Sequence, residues 1–486
     1  MASNHRREAL FLAVGQGLTA VMTLVVLSVL AHLYDKDQLA TYQQTFLVFL
    51  VLAPILQLGV AEAIFYFIPI EQNRKRGRLL DATLVLITSA SVFSVFILFG
   101  GNFLISNWLN NPQIGKLLYW LIPYALTVTP GSIIAPSLIA NGEAVRSAWF
   151  TIVKECIVGL ATLTPALLTM PVETVIISHI IANASMNLIG VRLILLLPGD
   201  AKARPNRGAI YELLKFSLPV GVTAMIGRIA RQLDKVLVGL FYPPEIFAVF
   251  AAGAVELPLI GIATRSISLV KIADLKRAVH RGDIDEALRI FRRIGEVTGY
   301  VIIPFTFFFM IEAELIVTVL FSEKYLASSE PLRIYLLLLP TRIVTFGTLM
   351  LALNQGKLIL FRTAVGLAIN FLLSITLIQL IGPNGAALAT VTAAFVWGIP
   401  ISLFFLCRDC QRNVRFFFPT KNLIHTTIFA LFPSSLLLFT NYLTKDLSSI
   451  LRLLIACALF GAIMSIWWGN DRLFSWKTLL KGKSPI

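Results

Sequence analysis

The stretch "GRIARQLDKVLVG", residues 227–239, sets Arg228, Arg231, Asp234 and Lys235 within eight positions of an otherwise apolar run from about Leu213 to Leu240. On a soluble surface such a cluster would be unremarked. Inside a membrane each central charge costs at least ~2.5–3.5 kcal/mol, so the cluster needs a reason. Composition decides between the two. The 486 residues are 57% hydrophobic and only 14% charged, against about a quarter charged in soluble domains. The chain is an integral membrane protein of α-helices.

Outward from that stretch, long apolar runs alternate with short polar turns and predict fourteen transmembrane helices. They lie near residues 9–32, 40–69, 79–105, 117–140, 148–170, 174–197, 212–240, 245–270, 294–320, 332–353, 359–381, 384–406, 422–441 and 449–468. The first run, Leu10 to Ala31, is too long for a signal-peptide core and leads straight into a second span, so it is expected to stay in place. Alternate connections carry 28 Lys/Arg on one side and five on the other. The basic set includes "NRKRGR" at 73–78, "AKARPNR" at 201–207 and the C-terminal "KTLLKGK". This bias predicts cytoplasmic N- and C-termini. It also absorbs most of the net charge of +15, so nucleic acid is not needed as a partner and contact with anionic lipid is the ordinary consequence. The connection at 270–293 predicts a short amphipathic cytoplasmic helix: Asp283 and Glu286 resemble a capping box, and Ile284, Ala287, Leu288 and Phe291 form an apolar stripe. A linker helix and a partner surface both fit it.

The chain repeats itself. "LYDKDQLATY" at 33–42 echoes "FYPPEIFAVF" at 241–250, "GLTA" at 17–20 echoes "GVTA" at 221–224, and "ANGEAVRSA" at 140–148 faintly echoes "NQGKLILFR" at 354–362. Each pair falls at corresponding places in the topology. The organisation expected is an N-terminal lobe of helices 1–6 (residues 1–200), a C-terminal lobe of helices 7–12 (201–410), and helices 13–14 with a cytoplasmic tail (411–486). Lobes of even span number run the same way through the membrane, an arrangement found in alternating-access transporters, with the substrate site between them.

Eight Lys/Arg fall outside the connections: Lys154, Arg192, Arg228, Arg231, Lys235, Arg265, Arg342 and Arg452. Arg192, Arg265 and Arg452 lie near helix ends, within reach of the interface. At ~1.5 Å per residue Arg228 sits about 22 Å beyond Leu213, near mid-membrane. In an unbroken helix Arg228, Arg231 and Lys235 share one face at i, i+3 and i+7, and Asp234 can pair with Arg231. Two readings stand: cations lining a polar cavity, or a self-neutralising lock between helices. The excess of positive charge favours an anionic substrate or lipid phosphate. Arg342, some ten residues into helix 10, is the further cavity candidate. Asp234, Glu256 and Glu62 are candidates for ion coupling or for charge pairing with an arginine, and His179 reads as a hydrogen-bonded packing histidine. Cys407 and Cys410 form an isolated C-x-x-C with no second pair, which falls short of a metal or redox motif. No P-loop, H-E-x-x-H, G-x-S-x-G or large extramembrane domain is present, so the chain reads as a transporter rather than an enzyme, with no cofactor and no metal.

Four stretches in order carry a family resemblance: "LQLGVAEAIFYFIP" at 56–69, "RQLDKVLVGLFYPPEIFAVFAAGAVELP" at 231–258, "SEKYLASSEPLRIYLLLLP" at 322–340 and "INFLLSITLIQLIGPNGAALATVTA" at 369–393. The chain resembles the polysaccharide flippases of the multidrug/oligosaccharidyl-lipid/polysaccharide (MOP) exporter superfamily, the Wzx-like O-antigen and capsule transporters. The resemblance implies a V-shaped, two-lobed helical fold in the bacterial or archaeal plasma membrane (the inner membrane where there are two). It implies movement of undecaprenyl-diphosphate-linked oligosaccharide from the inner to the outer leaflet, in company with other polysaccharide-assembly membrane proteins. It also implies a cationic cavity for the diphosphate, which matches Arg228, Arg231 and Lys235. Two departures stand out. Many such flippases have twelve helices, and the extra pair here resembles the lipid II flippase, where it helps form a groove for the lipid tail. The first helix also has no basic residue between Glu8 and His32, so a cationic site leans on helix 7 and Arg342. A lipid II flippase is therefore the rival reading. A MATE-like drug/cation antiporter would favour cavity acids, and a glycan polymerase or ligase would carry a large outer loop, which this chain lacks.

Overall fold

The polar residues between the apolar runs end one helix and cap the next. Asp35 N–H donates to Gln38 Oε1 at 3.2 Å. Asn206 Oδ1 accepts from Gly208 N–H, and Asp283 Oδ1 from Glu286 N–H, each at 2.9 Å; these caps satisfy donors that the first helical turn leaves open. The computed structural model describes residues 2–71, 74–197, 204–255 and 274–470, and among them there is no strand. Twelve of its helices are long and apolar enough to cross a membrane, and Gly17–Leu33, Val60–Ile70 and Pro244–Gly253 are shorter apolar helices. These twelve fall on the second to seventh and ninth to fourteenth expected spans. The first and eighth are represented only by the shorter pieces. Large apolar side chains stand exposed along most of them, among them Val92, Phe99, Leu372, Leu380, Val396 and Tyr442, as a lipid-facing surface requires.

The chain forms two compact units, Met1–Ala251 and Ala252–Ile486. The first contains α1 (Ala2–Leu33), α2 (Lys36–Leu56), α3 (Val60–Ile70), α4 (Lys75–Phe96), α5 (Asn102–Trp108), α6 (Ile114–Leu117), α7 (Leu121–Gly131), α8 (Ile134–Ala140), α9 (Ala144–Leu167), α10 (Val172–Leu195), α11 (Arg207–Ala230), α12 (Leu233–Phe241) and the start of α13 (Pro244–Gly253). The repeat divides the chain near residue 200, whereas the compact unit runs on to Ala251, because α11 packs on α2, α3 and α4. Its core joins Val60, Ala63, Ile64, Phe67 and Ile68 of α3 to Leu79, Ala82, Val85 and Leu86 of α4, with Ile134 and Leu138 of α8, Ile194 of α10 and Leu213 of α11.

The second unit contains α14 (Ile284–Ile311), α15 (Ala313–Phe321), α16 (Ser329–Leu336), α17 (Phe346–Ala352), α18 (Gly356–Ile381), α19 (Asn384–Ala393), α20 (Ile399–Cys410), α21 (Thr420–Leu443) and α22 (Ser449–Asn470). The expected short amphipathic helix is instead the first turns of α14, continuous with the ninth span; Ala287, Leu288 and Phe291 are buried as its stripe requires. No proline interrupts α14 before Pro304, so nothing stops the helix at the membrane edge. The last two helices belong to this unit's core. Trp467 of α22 stacks on Phe429 of α21 at 4.0 Å and on Tyr300 of α14 at 5.0 Å.

Candidate functional site

Two expected helices break where their charges lie. Helix 2 ends at Leu56, and the chain turns through Leu58 (φ 51) and Gly59 (φ 70) before α3 starts at Val60. Left-handed backbone at two successive residues cannot continue a helix, and Gly59 supplies the one position where it is unstrained. Helix 7 breaks between Ala230 and Leu233, closing with a tight bond from Gln232 N–H to the Ile229 carbonyl at 2.9 Å. The face shared at i, i+3 and i+7 is therefore interrupted between Arg231 and Lys235.

The two broken helices touch backbone to backbone. A Cβ on Gly59 would stand 2.3 Å from the Ser217 carbonyl oxygen and 2.5 Å from Gly221 Cα; one on Gly221 would stand 2.6 Å from Gly59 N. Small residues one turn apart, Ser217 and Gly221, allow this approach. Two turns further along α11, Arg228 is brought to the turn it crosses. Its Nη1 donates to Gln57 Oε1 at 2.6 Å and its Nη2 to Glu62 Oε1 at 3.2 Å. Arg228 thus spans the α2/α3 break, with Gln57 before it and Glu62 in the first turn of α3. Both charged side chains stay about a third exposed, 38% and 31%, so the pair is open to exchange. Arg228 lies about 22 Å beyond Leu213 and about 20 Å before Phe241, near the middle of the apolar run.

The neighbouring candidates are placed as follows. Arg231, at the break, is exposed, and Lys235 is half-buried. Asp234 is buried in the first turn of α12, where its Oδ1 accepts from the backbone N–H of Lys235 at 2.9 Å. The restarted helix therefore places the Asp234 charge in a first turn, where open N–H groups favour an anion, which an unbroken helix would not offer. Glu62, Arg228, Arg231, Asp234 and Lys235 together carry three cations against two carboxylates. Arg342 belongs to the second unit; it ends the 3-10 turn Leu339–Arg342, where Pro340, lacking an N–H, stands in what was expected to be a continuous helix 10. Glu256 lies outside the described residues, as does Arg265. Lys154 lies apart from the cluster, donating to Asn187 Oδ1 at 3.1 Å. His179 packs as expected, its Nδ1 2.9 Å from Thr162 Oγ1 and its ring 4.5 Å from that of Phe46.

Three contributors were not anticipated. Gln57 is an uncharged partner in an apolar run. Gly59 makes the turn. Arg78, counted among the loop charges of "NRKRGR", is 2% exposed. Its Nε donates to Glu71 Oε1, its Nη1 to the Ala209 carbonyl and its Nη2 to Glu212 Oε2, each at 2.8 Å. The guanidinium lies 4.2 Å over the Phe67 ring. Beside it, buried Asp81 pairs with Arg74 at 2.9 Å and accepts from Asn206 N–H at 2.8 Å. The start of α11 is thus fixed to α3 and α4, as its far end is fixed by Arg228. The signal was present in the sequence: Glu71 and Asp81 are the acids flanking an otherwise basic connection.

The family described as "Polysaccharide biosynthesis protein" matches residues 47–330. The chain belongs to that family. The match takes in Gln57, Glu62, Arg228, Arg231, Asp234 and Lys235, and stops short of Arg342. Among curated relatives, the probable lipid II flippase MurJ of Rhizobium meliloti (strain 1021) is 24% identical over 272 residues, 53% of this chain and 50% of that protein. The match spans about half the length of this relative. Among solved structures, lipid II flippase MurJ in an inward closed conformation superposes with a TM-score of 0.78 at 17% identity, over 95% of this chain and 99% of that one. An inward-facing MATE multidrug resistance transporter of the MOP superfamily follows at 0.62 and 14%, over 82% and 96%. A MOP superfamily transporter from Pyrococcus furiosus gives 0.58 and 14%, over 84% and 96%. This member of the polysaccharide biosynthesis family has the all-helical fold of the MOP transporters and is a multi-pass membrane protein.

Proposed function

We propose that this protein is a flippase that carries undecaprenyl-diphosphate-linked oligosaccharide, a polysaccharide repeat unit, from the inner to the outer leaflet by alternating access. The observation that carries the proposal is the partly exposed Arg228 fork at mid-membrane depth, bonded to Gln57 and Glu62, with Arg231 and Lys235 following it within seven residues. Such a fork is matched to phosphate geometry. The cations bind the diphosphate; Glu62 holds Arg228 in the unloaded state and is displaced by the substrate. The positive-inside bias orients both termini to the cytoplasm, so the cluster is met from the basic side.

A second reading is favoured by one observation: the curated relative above is a probable lipid II flippase. Both substrates bear the same polyprenyl diphosphate and differ in their sugars. The test is reconstitution into vesicles with a labelled undecaprenyl-diphosphate glycan or labelled lipid II, comparing wild type with Arg228→Ala and Arg231→Ala. Transport of the glycan, reduced at least about tenfold in both variants, is the expected result. Transport of lipid II alone moves the protein to the second reading. Variants as active as wild type on either substrate defeat the cationic-site assignment.

A further inference from the structure

We infer that Arg362, in the second unit, binds the phosphate of a membrane lipid. Arg362 lies on α18, about 9 Å from the Gly356 end at ~1.5 Å per residue. Its Nη1 donates to Ser402 Oγ of α20 at 2.8 Å, and that hydroxyl donates onward to the Gly398 carbonyl at 2.5 Å. Among the described residues no carboxylate pairs with it, and one neutral hydroxyl serves a side chain with five N–H donors.

The neighbouring arginines show what is missing. Arg408, at the same end of α20, pairs with Asp409 at 2.6 Å. Arg412 takes both oxygens of Asp285 at 2.8 and 2.9 Å, and Arg293 pairs with Glu296 at 3.0 Å. Arg362 has no such acid among the described residues, yet it sits further into an apolar span, next in sequence to the exposed Phe361. A half-buried guanidinium in an apolar span, with one hydroxyl as its acceptor among the described residues, is poorly compensated. A lipid phosphate supplies the anion, two acceptor oxygens for the guanidinium fork and the right place, since connections at this end carry Lys357, Arg408, Arg412, Arg415 and Lys421.

The local backbone holds the fork in position. Residues Ala394–Gly398 form a π-helical turn, a distortion that recurs at functional sites. It presents Trp397, whose Nε1–H donates to the Arg362 carbonyl at 3.0 Å and whose ring meets Phe361 edge-on at 6.2 Å. Helices α18 and α20 are thereby tied on both sides of the guanidinium. The phosphate is either that of a bilayer phospholipid or the diphosphate of the transported lipid; only the second source rests on the proposed function.

Native mass spectrometry of the purified full chain titrated with phosphatidylglycerol tests the inference. Arg362→Gln is expected to bind it about tenfold more weakly than wild type, with phosphate-free diacylglycerol binding unchanged. Ser402→Asp, which supplies the absent carboxylate from within, is expected to weaken phosphatidylglycerol binding similarly while raising the melting temperature. Undecaprenyl diphosphate that displaces phosphatidylglycerol from wild type identifies the transported lipid as the source; no displacement identifies the bilayer lipid. Phosphatidylglycerol binding at wild-type strength in Ser402→Asp, or in a folded Arg362→Gln, overturns the inference. Failure of Arg228 variants to affect transport would leave it standing.

Discussion

Replacing Gly221 with alanine tests whether the close crossing of α11 on the α2/α3 turn sets the candidate site. The new Cβ would lie 2.6 Å from Gly59 N, 2.7 Å from Gly59 Cα and 2.9 Å from the Leu58 carbonyl carbon. All three are backbone atoms. Ordinary contact begins at 3.4 Å, so the two chains must part by about 0.8 Å. The turn is a poor place to absorb this, since Leu58 and Gly59 already occupy left-handed backbone. Overpacking of this kind typically costs about 1–3 kcal/mol, and the lack of a compliant side chain places this case at the upper end. Two turns along the same helix, Arg228 reaches Glu62 at 3.2 Å; an equal displacement there takes the contact to about 4 Å, past hydrogen-bond range. The assay pairs thermal unfolding in detergent with glycan transport in vesicles, read well below the melting temperature. Gly221→Ala should melt several degrees lower and should transport within about threefold of Arg228→Ala. Gly227→Ala is the control: nothing lies within 4 Å of its added Cβ, so the better helix former should leave melting unchanged or slightly raised. Wild-type melting and transport in Gly221→Ala would refute the claim that this crossing positions Arg228.

Arg78→Ala should lower stability by about 3–5 kcal/mol, because it removes a buried guanidinium and leaves Glu71, only 19% exposed, without its cation; the Glu212 arm, 61% exposed, adds little. Adding Glu71→Gln should restore a large share of the melting temperature, and a double variant no better than Arg78→Ala alone would count against the clamp. Glu62→Gln keeps the size of the side chain and removes the charge that holds Arg228, so transport should persist and substrate should bind up to about threefold tighter in a titration with the labelled lipid. Asp234→Asn retains an acceptor for the Lys235 N–H but loses the charge at the start of α12, a change of about 0.3–1 kcal/mol. A melting temperature lowered by at least the equivalent of that amount is expected in thermal unfolding in detergent.

Periodicity made the helices legible because crossing a bilayer leaves little choice of structure: a long apolar run must satisfy its backbone internally. The breaks were harder to see. Pro54 and Gly59 flank the turn in helix 2, but prolines and glycines also occur inside unbroken membrane helices, as Pro219 does in α11. Left-handed φ at Leu58 has no sequence signature at all. Helix 7 breaks with no proline or glycine between Ala230 and Leu233. The charges of the candidate site stood out against their apolar surroundings, so Glu62, Arg228, Arg231, Asp234 and Lys235 were singled out readily. Their pairing was not legible, because Glu62 and Arg228 are 166 residues apart and meet only through a backbone crossing. Arg78 failed for the opposite reason: among Arg74, Lys75 and Arg76 it looked like one more loop cation, although it alone points into the core.

The pairing of Arg228 with Glu62 bears on how a flippase can release what it binds. Three cations with no counter-charge at mid-membrane would hold a diphosphate tightly enough to become a trap, and strong uniform binding slows any cycle that must end in release. An internal carboxylate changes the comparison. On the proposed function, substrate binding exchanges one anion for another at the same guanidinium, and only the difference between the two appears as affinity. The exchange is shallow because Arg228 and Glu62 are each about a third exposed, a setting in which ion pairs are worth little. Gln57, a neutral acceptor at 2.6 Å, keeps the fork oriented while its other arm changes partner. The same reasoning explains why the acid stands on α3 and the cation on α11: with the two charges on separate helices, a movement that separates α11 from the α2/α3 turn weakens the internal pair and the bound diphosphate differently. That difference in free energy between two states is what a conformational cycle requires.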